Sequence, residues 1–116
     1  MSENALANRR RRRRHQLSAD ICVIDHLRHH PMGQLVNIHQ EGLLLMGHFL
    51  NIHSSHQISL ILPNSVNQQT QFELGIECLW SQQADSDEHV YWSGCSIIDL
   101  SPMAEACIQK MIHLRS

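Results

Sequence analysis

The chain lacks long apolar runs and paired cysteine motifs. Its longest strongly apolar run is Leu43–Met46, far too short to cross a bilayer as a helix. No apolar segment follows the positive charges near the N-terminus, so we expect neither a secretory signal nor membrane insertion. Four cysteines are present without a C-x-x-C pair, which predicts reduced thiols in a cytoplasmic protein.

Basic residues are scarce outside one run. Arg9–Arg14 supply six of the nine basic residues, so the chain beyond Arg14 has three basic residues against ten carboxylates. Three positive and ten negative charges give this part a net charge of about −7 with neutral histidines. Such a body repels a phosphate backbone, so duplex binding would depend on the arginine run alone. The charge distribution therefore argues against an extended nucleic-acid-binding role.

A two-residue alternation follows the arginine run and predicts a mainly β fold. Leu17, Ala19, Ile21 and Val23 alternate with more polar residues as in a half-buried first strand. Further short strands are expected near 34–38, 43–46, 58–62, 71–80 and 90–100, joined by turn-rich segments. The third of these should stop at Pro63, in the breaker sequence PNS. The strand at 71–80 should share one face among Phe72, Leu74, Ile76, Cys78 and Trp80.

Ser101-Pro102 marks a change to helical spacing. Serine is a good N-cap and proline suits the first helical position. The sequence predicts a helix over about 102–114, with an apolar stripe toward the body formed by Ala104, Cys107, Ile108, Met111 and Leu114. Six strands and one helix predict a small antiparallel β-barrel with the helix packed on it. We expect residues 1–14 to form a flexible arm and residues 15–116 a single domain.

Ten histidines raise the question of a metal or catalytic site. No histidine lies near a C-x-x-C pair or within an H-E-x-x-H motif, the patterns typical of zinc sites. This holds for the candidates His29, His30, His39, His48, His53 and His56. The chain also has no nucleophile turn, glycine-rich phosphate loop or recognisable paired-acid motif. We therefore expect no metal, no cofactor and no catalytic residues.

Two segments indicate anion binding when they are taken together. A lone arginine run is typical of a solvated basic tail, a nuclear-type signal or nonspecific nucleic-acid attraction. The use of arginine throughout, without lysine, favours a different role, because guanidinium groups bind phosphate and the O6/N7 edge of guanine bidentately. The second segment, NIHQEG at 37–42, stands one strand downstream.

With these segments the chain resembles the PilZ domain, the bacterial receptor module for cyclic di-GMP. The ligand motifs of that family are R-x-x-x-R before the first strand and [D/N]-x-S-x-x-G at the turn after the second. The resemblance covers essentially the whole chain, including ECLW and YWSGCSIIDL. It implies a split six-stranded barrel with a C-terminal helix, and a cyclic di-GMP site between the arginines and the outside of the barrel.

The first motif fits the arginine run twice, as Arg9 with Arg13 and as Arg10 with Arg14. In the family, core-facing residues of the first strand stand at odd offsets from the second arginine, starting three residues after it. Counting from Arg14 gives an apolar face that begins at Leu17, whereas counting from Arg13 gives a polar face that could not pack a barrel interior. The resemblance therefore assigns ligand contacts to Arg10 and Arg14, with Arg9 and Arg13 as auxiliary charge.

The second motif maps onto Asn37 and Gly42, with His39 at the position of the serine. An imidazole can donate to a guanine or phosphate acceptor, and its protonation would add charge attraction. It is also bulkier than a hydroxymethyl group and could reshape or block the site. Gly42 is expected to permit a positive-φ turn and a close backbone approach to the ligand.

The resemblance implies a receptor without catalytic activity that passes a signal to a protein partner, with motility, surface polysaccharide or biofilm control as the output. Like-charge repulsion in the arginine run suggests an arm that becomes ordered when the ligand neutralises it. Two alternatives stay open. One is a PilZ-like adaptor that His39 has disabled for ligand binding, and the other is a basic-arm module that contacts RNA or DNA.

Overall fold

The strands of the protein close into an antiparallel β-barrel. The computed structural model describes residues 21–115, with side chains up to His113. The order of the strands around the barrel is β1-β2-β3-β6-β5-β4. The elements along the chain are β1 (Cys22–Asp25), β2 (Pro31–Ile38), β3 (Gly42–Gly47), β4 (Ser55–Val66), β5 (Gln69–Gln83), β6 (Tyr91–Asp99) and α1 (Pro102–Arg115). The expected six-stranded barrel with a C-terminal helix is confirmed.

Inward-facing residues at alternate positions of the strands form the barrel core, as the sequence predicts. Ile21 and Val23 are buried while Cys22 between them is exposed. Leu17 and Ala19, the other residues of that pattern, lie outside the described residues. On β5 the inner face is formed by Phe72, Leu74, Ile76 and Cys78, all of them buried.

Trp80 does not follow the inner face of β5. The register between β5 and β6 shifts so that Cys78 lies opposite Cys95 and Trp80 lies opposite Gly94. Leu79 is therefore an extra residue, a β-bulge that reverses the facing of the side chains after it. Trp80 is 44% exposed. The expectation that Trp80 shares the core face with Cys78 is wrong, because the pairing of a neighbouring strand interrupts the alternation.

The expected end of β4 at Pro63 is also wrong. β4 continues to Val66 and turns into β5 through Asn67 and Gln68, whose φ angles of 51° and 67° suit a tight two-residue hairpin. The register between β4 and β5 shifts between Ile61 and Val66. Proline is tolerated at such an irregularity, because it lacks the N–H group that a regular ladder would require.

Helix α1 begins at a serine cap and packs on β5 and β4. The Ser101 Oγ accepts a hydrogen bond from the Ala104 N–H at 3.0 Å, which satisfies a free donor of the first turn. The predicted apolar stripe is confirmed at Ala104, Cys107, Ile108 and Met111, all of which are buried. The side chain of Leu114 lies outside the described part. Within residues 21–115, no helix has the length and apolar character needed to span a membrane.

Candidate functional site

A row of outward residues crosses four strands of the barrel at one level. Asn37 on β2 lies opposite Leu44 on β3. Leu44 in turn lies opposite Gly94 on β6, and Gly94 lies opposite Trp80 on β5. Directly opposed residues of antiparallel strands present their side chains on the same face. The row therefore runs from the carboxamide of Asn37 to the indole of Trp80.

A shallow groove of about 320 Å³ follows this row. We call it the Asn37–Trp80 groove. Its lining residues are Asn37, His39, Leu43, Leu44, Leu79, Trp80, Gly94 and Cys95. This described lining offers a carboxamide, an imidazole and an indole above apolar side chains, and it contains no carboxylate. The groove is therefore suited to a flat, polar-edged ligand rather than to a cation.

The indole of Trp80 lies against the backbone of Gly94. A Cβ atom added to Gly94 would collide with Nε1 and Cε2 of Trp80, so the indole can rest on β6 only because this position is glycine. Sequence reasoning missed Trp80 as a site residue because the bulge at Leu79 depends on pairing with β6. A single glycine inside a strand pattern signals close approach of another group, and Gly94 carries that signal in YWSGCSIID.

Asn37 and His39 form a hydrogen-bonded pair at the other end of the groove. Asn37 Oδ1 accepts a hydrogen bond from the Ile38 N–H at 2.9 Å, which fixes the orientation of the carboxamide. Its Nδ2 then donates to His39 Nε2 at 3.2 Å. The hydrogen-bond network thus assigns a neutral imidazole that carries its proton on Nδ1. The structure brings together these two residues predicted from the second motif.

Gly42 closes the turn between β2 and β3, where its carbonyl accepts a hydrogen bond from the His39 N–H at 2.8 Å. Among the described glycines, only Gly33 has a positive φ. The expectation of a positive-φ turn at Gly42 is therefore wrong. A Cβ atom at Gly42 would lie 2.6 Å from the carbonyl oxygen of Cys95, so the position needs glycine for its close approach to β6.

The arginines of the first motif, Arg9, Arg10, Arg13 and Arg14, lie outside the described residues. The chain reaches the barrel next to the groove, since the carbonyl of Ile21 accepts a hydrogen bond from the Leu35 N–H at 2.9 Å. Leu35 is two residues before Asn37 on β2. The described chain therefore begins at the Asn37 end of the groove.

A second concave surface lies at the start of β5, beside the N-terminus of α1. This cavity has a volume of about 440 Å³, and its lining includes Gln57, Gln71, Glu73 and Asp99. We call it the acidic cavity. Its two carboxylates make it unfavourable for an anionic ligand.

Some of the described histidines lie beside hydroxyl or carboxylate side chains. His26 Nδ1 lies 3.2 Å from Ser59 Oγ and 3.4 Å from Glu73 Oε2. His53 Nδ1 lies 3.2 Å from Glu77 Oε2. Over residues 21–115, no cluster of three or more histidine, cysteine or acidic side chains is arranged to hold a metal ion.

No family model matches the chain, and no curated protein matches it in sequence. The groove and the two sequence motifs are therefore the features that bear on the function of the protein.

Proposed function

We propose that the protein is a PilZ-like receptor that binds cyclic di-GMP in the Asn37–Trp80 groove. One observation carries this proposal: Asn37 and His39 of the second motif line the same groove as the exposed indole of Trp80. Hydrogen-bonding groups at one end and an aromatic surface at the other match a ligand with polar edges and flat bases.

The indole of Trp80 supplies the stacking surface. Base stacking on an exposed aromatic side chain is worth roughly 1–3 kcal/mol per base. At the other end of the groove, the Nδ1–H of His39 can donate to a phosphate oxygen or to a guanine acceptor. The row crosses three strand spacings, which makes it roughly 14 Å long. A compact dinucleotide can span that distance.

The arginine run provides the positive charge that the groove lacks. Arg14 lies seven positions before Ile21 and Arg10 lies eleven positions before it, so fully extended segments span at most roughly 25 Å and 40 Å. Both lengths exceed the length of the row. Arg10 and Arg14 can therefore contact guanine edges and phosphates on the groove, while Arg9 and Arg13 add charge.

Signalling follows from neutralisation of the run. Six adjacent guanidinium groups repel one another until an anion pairs with them, so the ligand favours an arm folded over the barrel. The folded arm and the covered groove together form a surface that a protein partner can distinguish from the ligand-free barrel. This role requires no bond making or breaking.

The hydrogen bond between Asn37 and His39 also favours a second candidate, an adaptor that does not bind the ligand. In this case the imidazole fills the place of the motif serine and occupies the Asn37 amide. If wild type does not bind cyclic di-GMP in a titration but His39→Ser does, the adaptor is favoured.

A nucleic-acid-binding arm would behave differently. The logarithm of its affinity for oligonucleotides should fall with the logarithm of the salt concentration, at a slope of roughly 0.7–0.9 per phosphate engaged.

Calorimetry on three arginine variants tests the proposal. A bidentate arginine–guanine contact contributes roughly 1–3 kcal/mol, so Arg10→Ala and Arg14→Ala should each weaken cyclic di-GMP binding by roughly 5- to 150-fold. Arg12→Ala is the matched control, because it removes the same charge from a position outside the motif, and it should matter much less. Equal small losses in all three variants would contradict the assignment of Arg10 and Arg14.

A further inference from the structure

Two cysteines lie directly opposite each other on the inner face of the barrel. Cys78 on β5 pairs in register with Cys95 on β6. Both are free thiols, and their exposed fractions are 0% and 4%. Opposed residues of an antiparallel pair have neighbouring side chains on one face, so the two sulfur atoms share the same part of the core.

The backbone around Cys78 shows which kind of cross-strand pair this is. The Cys78 N–H donates to the carbonyl of Ser54 at 2.9 Å, and the Cys78 carbonyl accepts from the N–H of His53 at 2.7 Å. Both groups therefore point away from β6, which makes Cys78 and Cys95 a non-hydrogen-bonded pair. The Cα atoms of such pairs are about 4.5 Å apart, within the range of roughly 4.4–6.8 Å that disulfides span.

The two thiols also interact with each other. Burial raises the pKa of the Cys78 thiol, while a hydrogen bond from Cys95 partly opposes that rise. Burial raises the pKa of Cys95 to about 12, and the neighbouring Cys78 adds to this effect. Burial therefore disfavours ionisation of both thiols, and each thiol influences the other across the strand pair.

The other two cysteines have no such arrangement. Cys22 is exposed, and its register partners on the adjacent strands are Gln34 and Ile61. Cys107 is buried under α1, where its thiol donates to the carbonyl of Val66 at 3.7 Å. The chain therefore contains internal controls for an exposed cysteine and for a buried one.

We propose that Cys78 and Cys95 are a redox-active pair that closes to a cross-strand disulfide beneath the Asn37–Trp80 groove when the protein meets hydrogen peroxide. The Cys78 thiolate attacks a peroxide oxygen and breaks the O–O bond, which gives a sulfenic acid and, after protonation, one water. The Cys95 sulfur then attacks the Cys78 sulfur, forms the S–S bond and releases the second water with the Cys95 proton. Two thiols lose two electrons, and one peroxide is reduced to two waters.

Access and position connect the pair to the groove. Cys95 contributes to the groove lining, and Cys78 is fully buried behind it, so peroxide has to enter from the groove and pass Cys95 to reach the Cys78 sulfur. The disulfide links β5 to β6 one step from the contact between Trp80 and Gly94. This inference requires only the register and the groove, and it stands whether or not the groove binds cyclic di-GMP.

The experiment uses the full chain carrying Cys22→Ser and Cys107→Ala, which leaves only the proposed pair. The native protein is treated with hydrogen peroxide, unfolded, alkylated and analysed by intact mass and peptide mapping. We expect a loss of two hydrogen atoms, no alkylation and a cross-linked peptide that joins positions 78 and 95. Adding Cys95→Ser is the matched control, and it should abolish the cross-link.

Three outcomes would overturn the proposal. They are two thiols that stay alkylatable, separate sulfinic acids on each cysteine, and cross-linking that occurs only when urea is present during oxidation. The melting temperature gives a second readout on the same protein. A cross-link that closes a loop of this length should raise it by roughly 10 °C, and a thiol reductant should reverse the increase.

Discussion

The Asn37–Trp80 groove and the acidic cavity are comparable in volume, at about 320 Å³ and 440 Å³, but the first is lined by neutral side chains and the second includes acidic ones. The groove presents the neutral side chains of Asn37, His39 and Trp80, without a carboxylate in its described lining. The acidic cavity has Glu73 and Asp99 among polar side chains. An anionic dinucleotide is therefore compatible with the first surface and repelled by the second.

Both surfaces depend on a glycine that lets a side chain approach the backbone closely. Gly94 accommodates the indole of Trp80, while a Cβ atom at Gly75 would lie 2.6 Å from Gln57 Oε1 and 2.7 Å from the Cβ of Asp99. The same barrel feature therefore yields an aromatic surface in one place and an acidic one in the other. The side chain beside the glycine decides the class of ligand.

Removal of the Trp80 indole should weaken ligand binding more than any other change at the two surfaces. Trp80→Ala deletes the stacking surface and should weaken cyclic di-GMP binding by roughly 5- to 150-fold, as measured by calorimetry. Trp92→Ala is the matched control, because Trp92 faces outward beside Met46 and Gln82 but does not line the groove. Equal losses in two variants with wild-type circular dichroism would show that Trp80 has no special role.

Substitution of Gly94 or Gly75 should have a smaller effect on ligand affinity, but it compares the two surfaces more directly. Gly94→Ala should displace the indole and weaken binding by about tenfold, within the range of a lost stacking contact. Gly75→Ala perturbs the acidic cavity in the same way and should leave ligand affinity unchanged. Tryptophan fluorescence should report the displaced indole in Gly94→Ala alone. Weaker binding in Gly75→Ala would indicate that the ligand binds in the acidic cavity and not in the Asn37–Trp80 groove.

His39 should make a modest contribution to the affinity. Its Nδ1–H can donate to a phosphate oxygen or to a guanine acceptor, and a neutral hydrogen bond is worth about 1 kcal/mol. His39→Ala should therefore weaken cyclic di-GMP binding by about fivefold in calorimetric titrations. An unchanged affinity would show that the imidazole does not contact the ligand.

Asp25 lies outside both surfaces. Its replacement should have the smallest effect of these changes, and that effect should be on stability and not on ligand affinity. Its Oδ1 accepts hydrogen bonds from the N–H groups of Leu27 and Arg28, each at 3.0 Å, and the Arg28 bond is the main reason that the pKa of Asp25 is lowered. A lowered carboxyl pKa stabilises the fold above the unfolded-state value, and this gain is lost as the pH falls through the folded-state value. Asp25→Ala should lower the melting temperature by a few degrees near neutral pH.

In acid the melting difference between wild type and Asp25→Ala should disappear, while the ligand affinity should be the same in both proteins at neutral pH. A melting difference that persists below the lowered pKa of Asp25 would show that the carboxylate hydrogen bonds are not its cause.

The sequence pattern correctly predicted those features of the fold that depend only on residues close together in the chain. Burial of Ile21 and Val23 followed from alternation, and the cap at Ser101 followed from the preferences of helix ends. The outward turn of Trp80 did not, because it arises from one extra residue opposite β6. The register of pairing with a neighbouring strand is not encoded in the alternation of either strand.

The candidate site divides in the same way. Asn37 and His39 are close in sequence, and their hydrogen bond lies within one turn. Trp80 joins them only through the closure of four strands, and Gly42 approaches Cys95 for the same reason. Sequence could therefore nominate the motif end of the groove but not its aromatic end.

A proton–nitrogen NMR titration of the full chain with cyclic di-GMP tests ligand binding in the groove most directly. We expect saturable shifts of the Trp80 indole N–H, the Asn37 side-chain amide and the Gly42 amide, with the amides of Glu73 and Asp99 unchanged. An unperturbed groove, or shifts confined to the acidic cavity, would contradict the proposed receptor function.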